Sequence, residues 1–155
     1  MGWIQDPAEA EEALGAAPRL LRLYRYWRAR CDGRRAPARA DIDPLDLPDL
    51  LPNLWLMDVE ADPLDFRNRL AGTATAQLIG RDVTGKRFAE IFTGPDSAEI
   101  FAEYRGVVES WRPHAAARTV FWADRSFIRY RRLVTPLSAD GRRVDMLFGL
   151  TEETV

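Results

Sequence analysis

Apolar positions follow helical spacing early in the chain and strand alternation later. Between Pro18 and Gly33, the side chains Leu20, Leu23, Tyr24, Trp27 and Cys31 fall within an arc of about 100°, with Arg19, Arg22, Arg25 and Arg30 off it. That spacing predicts an amphipathic helix with Pro18 in its first turn and Gly33 just past its end. Asp6-Pro7 predicts a shorter helix before it, reaching Leu14. Pro37, Pro44, Pro48 and Pro52 then restrict the chain to short turns. Leu45, Leu47, Leu50 and Leu51 would be left in water if this stretch were a flexible connector, so it is predicted to be an ordered linker.

From Leu54 the pattern becomes that of strands. Leu54 and Leu56 face one way and Trp55 and Met57 the other, so both faces of this first strand require cover, and the N-terminal helix is suited to one of them. Asp62-Pro63 predicts the turn to a second strand over 66–71. After Gly72, Thr73 is placed to cap a short helix closed by Gly80, and Asp82, Thr84 and Gly85 predict a loop held by its own hydrogen bonds. Phe88, Ile91 and Phe92 return to the core. The longest later helix is predicted from Gly94-Pro95-Asp96-Ser97 to about Trp111, with Ile100, Phe101, Tyr104, Val107 and Val108 at helical spacing. Strands over 115–122, 127–137 and 144–151 then predict an antiparallel meander. The fold class is α+β: a five-stranded antiparallel sheet with short helices on one face and an N-terminal amphipathic helix. Residues 1–53 form an arm and linker in this reading, and residues 54–155 the sheet domain.

Charge adds a second feature. Residues 19–39 hold eight Arg against one acid, Asp32, whereas residues 41–65 hold eight acids and no Lys or Arg. This is either a pair of solvated surfaces or a basic arm docked on an acidic stretch of its own or a partner subunit. The formal net charge of -2 argues against a general nucleic-acid binder. No apolar run approaches the roughly 20 residues of a membrane span, and a single cysteine, Cys31, fits a reducing cytoplasm.

The order of elements resembles a PAS domain, and residues 66–88 are similar to a bacterial, alphaproteobacterial-type PAS-like family with a phrase of the form RLvGT…GrDlTGr. Arg69, Gly72 and Thr73 match its first half, with Leu70 between them, and Gly80, Arg81, Asp82, Thr84 and Gly85 match its second. The resemblance runs from about residue 20 to 150. Ala71 departs from it where a larger aliphatic residue is expected, and Lys86 where Arg is commoner. It implies a small sensory or regulatory module without a specified ligand. The motif's glycines and its Asp and Thr are explained by turns and caps, so its role is read as structural.

Chemistry is tested against the remaining residues. His114, the only histidine, lies outside the long helix where an axial haem ligand is expected, and Cys31 lies far from the position a flavin-reacting cysteine would need, so no cofactor is assigned. No metal set is apparent. His114 with Asp124 or Glu109 is too thin for catalysis, and a non-enzymatic role is expected. Arg125, Arg129, Arg131 and Arg132 form a basic group around Tyr130, but alternation puts Arg129 and Arg131 on one face and Arg132 with Tyr130 on the other, which predicts a solvated edge. Two functions remain open. One is a homodimeric signalling module that docks a partner protein, with Leu20, Leu23, Tyr24 and Trp27 as arm contacts. The other is a sensor of an unidentified small molecule, with Tyr104, Trp122, Tyr130 and Phe148 lining a cavity between sheet and helices.

Overall fold

The structure, a computed structural model, describes residues 1–119 and 128–154. The chain opens with α1 (Pro7–Leu14) and α2 (Pro18–Cys31). Asp6 caps α1 by accepting from the Glu9 amide at 2.8 Å. Pro18 occupies the first turn of α2, and the helix ends on Asp32 in the left-handed region, one residue before the expected Gly33. The proline-rich stretch folds as three single 3-10 turns, Arg39–Asp41, Pro44–Asp46 and Leu51–Asn53. After these come β1 (Leu54–Glu60), β2 (Asp65–Ala71), α3 (Thr73–Ile79), α4 (Phe88–Ile91), α5 (Ser97–Ser110), β3 (His114–Thr119), β4 (Arg129–Leu137) and β5 (Met146–Thr154). The end of the expected third strand and the turn after it lie outside the described residues.

The five strands form one antiparallel sheet in the order β2-β1-β5-β4-β3. The hairpin and the meander predicted separately are joined because β1 pairs with the last strand, Leu54 against Leu150 and Leu56 against Phe148. The hairpin itself is irregular: the register slips between Leu56 and Met57, leaving Arg69 as an extra residue on β2. This bulge reverses the alternation beyond it. Phe66 and Asn68 point into the core, Leu70 is 39% exposed, and Ala71 packs inward in its place.

Each face of the sheet carries its own core. Leu54, Leu56, Leu133, Phe148 and Leu150 pack against Leu20, Leu23, Tyr24, Trp27 and Cys31 of α2. Trp55, Met57, Phe66, Val134 and Leu147 pack against Phe88, Ile91, Ile100, Tyr104 and Val107. The first strand therefore needs cover on both sides for the reason its sequence gives. The Trp27 indole anchors α2 by donating to the buried Pro136 carbonyl at 2.8 Å. Around the helix, Arg22 pairs with Asp49, Arg30 with Asp46 at 3.2 Å and Arg34 with Asp41 at 2.9 Å. Within this chain, the basic arm thus lies along its own acidic linker. These pairs are solvent-exposed, so they orient the arm more than they stabilise it.

Candidate functional site

The signature residues are placed by backbone geometry. Gly72, not Thr73, holds the cap position of α3, and no side chain caps the helix. A Cβ on Gly72 would lie 2.3 Å from the Pro52 carbonyl oxygen and 2.4 Å from that of Leu51, so close approach of the linker excludes any larger residue. Gly80 (φ 93°) ends α3, and Gly85 (φ 78°) turns the following loop. Asp82 accepts from the Thr84 amide at 3.0 Å, a bond that holds its carboxyl below the usual range. Arg69 pairs with Asp58 at 3.0 Å on the surface, and Arg81 reaches the Glu90 carbonyl. The loop's one inward consequence concerns Asn68, whose carbonyl accepts from the Gly85 amide at 2.8 Å and whose amide donates to the Lys86 carbonyl at 2.9 Å. The loop thereby clamps Asn68 from outside while its side chain points inward.

Between the sheet and α3 to α5 lies a cavity of about 40 Å³ whose walls include Trp55, Met57, Ala71, Ile79, Phe92 and Tyr104. Aromatic packing keeps it small: the Tyr104 ring stacks on Trp55 at 5.7 Å and meets Phe66 edge-on at 5.6 Å. Besides the hydroxyl-bearing Tyr104, Tyr130 and Thr151, three polar side chains line it, Asn68 from β2, Thr75 from α3 and Arg132 from β4. They are 3%, 5% and 1% exposed. Among the described residues, Asn68 Nδ2, Thr75 Oγ1, and Arg132 Nε and Nη1 have no hydrogen-bond partner. A buried polar atom without a partner costs about 1–3 kcal/mol, so this set opposes folding unless the cavity contents complete it.

The other end of Arg132 is well held. Its Nη2 donates to Glu103 at 2.8 Å and to His114 Nδ1 at 3.2 Å, and its guanidinium lies 5.2 Å from the Tyr104 ring centroid. Because guanidinium only donates, Nδ1 is the acceptor and the histidine proton sits on Nε2. Burial, and then the Arg132 charge, push the His114 imidazolium down to about 4, so the ring is neutral near pH 7. Its 3.6 Å approach to Glu103 would be an ion pair only if it were protonated. Glu103 is shared with Arg118, which also reaches Glu99 at 3.3 Å.

The predicted pocket set divides. Tyr104 and Tyr130 line the cavity, Phe148 lies on the opposite face among the arm contacts, and Trp122 is outside the described residues. Leu20, Leu23, Tyr24 and Trp27 are at most 3% exposed against their own sheet, so a dimer through this face would require the arm to leave it. The residue beside His114 is Glu103 rather than Glu109, which is exposed, and Asp124 is outside the described residues. For the Arg group the alternation is as expected and the solvated edge is not. Arg131 donates to the buried Glu152 at 2.6 Å on the arm side, and Arg132 is sealed on the cavity side; Arg125 is outside the described residues.

Comparison with known proteins places this fold: a family described as a PAS domain matches residues 16–152. The chain belongs to this family. Its members are sensory and signalling modules, and the range matched for this PAS domain takes in α2 and the linker but not α1. No curated protein matches it. Solved structures that share the fold include a light-oxygen-voltage domain studied with a flavin analogue, with 16% identity and a TM-score of 0.57 over 72% of this chain and 83% of that one. The Rhodobacter sphaeroides LOV protein gives 16% identity and 0.53 over 72% and 68%. The Vibrio cholerae VqmA dimer gives 17% and 0.54 over 72% of this chain and 50% of that one. Flavin does not fit the residues present here. Cys31 is on the arm face, 2% exposed and pushed up to about 11 by burial, and the cavity is far below the roughly 300 Å³ at which pockets for drug-sized ligands begin.

Proposed function

We propose that this PAS domain is a non-catalytic cytoplasmic sensor that holds a small molecule in the cavity beneath α5 and signals through a protein partner. The observation that carries the reading is the convergence of Asn68, Thr75 and Arg132, each buried and each with unpaired polar atoms, on one apolar-walled cavity. Catalysis is disfavoured by the same geometry. His114, the one histidine, is neutral and directed at a guanidinium, which leaves no histidine base facing the cavity among the described residues. No helix among the described residues is long and apolar enough to cross a membrane.

A second reading, a homodimer that docks a signalling protein, is favoured by the shared fold of a dimeric protein and by the exposed Leu70 on edge strand β2. Native mass spectrometry of the purified chain tests both. Retention of a small molecule supports sensing, and a ligand-free dimer supports docking alone. A bare monomer at micromolar concentration would count against both readings.

A further inference from the structure

The atoms without partners in the cavity share one chemical character. Arg132 Nε, Arg132 Nη1 and Asn68 Nδ2 are donors, and the Thr75 hydroxyl can donate as well. What is missing is therefore an acceptor. Charge sharpens this. The cluster behind the cavity contains two guanidiniums, the half-buried Arg118 and the buried Arg132, and one largely enclosed carboxylate, Glu103, which both of them share. The other acid within reach, Glu99, is 70% exposed and pairs only with Arg118 among the described residues. His114 adds an acceptor but no negative charge. Arg132 thus shares its carboxylate, and two further donor atoms of this cavity-lining side chain, Nε and Nη1, are without partners.

Water would satisfy the donors but bring no negative charge to a guanidinium that shares its one carboxylate with Arg118. The rest of the lining is mainly apolar, with Met57, Ile79 and Phe92 among it. On the measure by which one water needs roughly 10–15 Å³, 40 Å³ holds about three, a space equal to a few heavy atoms. Phosphate and other strongly hydrated oxyanions would place charge against those apolar walls, and a drug-sized acid would not enter without displacing the aromatic cluster.

We propose that the cavity binds a small free monocarboxylate of acetate or propionate size, with its carboxylate accepting from Arg132, Asn68 and Thr75 and its alkyl end against Ile79 and Phe92. This rests on the small-molecule reading above and narrows it to an anion with an apolar tail. Arg132 supplies the charge, and Asn68 and Thr75 orient the two oxygens. Ala71, brought inward by the β2 bulge, leaves the space.

The test is calorimetric titration of the full chain, purified free of carboxylic acids, with sodium propionate at constant ionic strength, alongside propionamide and sodium nitrate. Propionate is expected to bind saturably, and propionamide at least tenfold more weakly because it lacks the charge. Nitrate, an anion without an alkyl end, should also bind at least tenfold more weakly. Thr75→Val and Asn68→Leu should each weaken propionate at least tenfold. Because each removes an unpaired buried group, neither should lower the ligand-free melting temperature, which separates loss of a binding group from loss of the fold. Absence of saturable binding at tens of millimolar propionate, equal binding of propionate and propionamide, or a crystal structure grown in propionate with only water in the cavity would overturn the carboxylate. Retention of a neutral molecule in native mass spectrometry would overturn the carboxylate yet sustain the sensor, whereas a bare chain silent to propionate would remove both.

Discussion

The protonation of His114 gives the most direct test of the buried cluster. In the unfolded chain the imidazolium has its ordinary value of 6.5, and in the fold it is pushed down to about 4 by burial and by Arg132. Between these values the unfolded state binds a proton that the folded state does not, so stability must fall as pH drops through that window and level off below it. Full expression of the difference corresponds to roughly 3 kcal/mol, and partial access of water at the rim reduces this to about 2 kcal/mol. The perturbation is His114→Gln, whose side-chain oxygen can still accept from Arg132 without titrating. Urea unfolding of both proteins at about pH 7 and about pH 4 isolates the term, because the surface carboxylates are common to both. The natural chain should lose about 2 kcal/mol more than the variant over this interval. Parallel pH profiles would refute the neutral assignment. An opposite slope would show that the histidine is charged in the fold and paired with Glu103, 3.6 Å away.

Other substitutions probe the arm and the signature. Trp27→Ala removes an indole that is 2% exposed and leaves the Pro136 carbonyl without its donor, so it should cost about 3–5 kcal/mol in chemical denaturation; a change under about 1 kcal/mol would show that the arm is not seated on the sheet. Gly72→Ala forces a Cβ onto two backbone carbonyls that no rotamer can relieve, and a loss of about 1–3 kcal/mol should appear as a lower melting temperature, whereas an unchanged one would contradict the close approach. Cys31, buried and raised to about 11, should react with a thiol reagent only in denaturant; rapid labelling of the native protein would mean that α2 detaches readily.

The architecture was legible because each element announced itself by period. Five of the six buried side chains of α2 were on the arc that 3.6-residue spacing selects, Leu21 being the one off it, and β1 showed both of its faces to be apolar before any partner was known. Membership of a PAS family was legible too, and Gly72, Gly80 and Gly85 have the geometric causes that their residue type suggests. Two things were hidden. The pairing of β1 with β5 joins the ends of the sheet domain across almost a hundred residues, and local pattern carries no information about such closure. The bulge at Arg69 exchanges the faces of Leu70 and Ala71, which strict alternation would have assigned the other way.

Arg131 and Arg132 show why the site was harder to read than the fold. Adjacent in sequence and identical in type, they looked like one basic edge, yet the strand period sends them to opposite cores. Arg131 keeps 26% of its side chain exposed and is bound to Glu152, which also receives Arg19. Arg132 keeps 2% and is given a shared Glu103, a neutral histidine and two donor atoms without partners. Composition cannot distinguish these cases; alternation can, since Tyr130, Arg132 and Val134 share the face whose other members are apolar. A charged residue in phase with a core is the local inconsistency that marks either an error of register or a site, and the pairing of Arg132 with Thr151 on one side and Ala116 on the other fixes the register. What remains is a guanidinium held in the core with its donors directed at a cavity, an arrangement that packing alone does not favour and that an anionic occupant would complete.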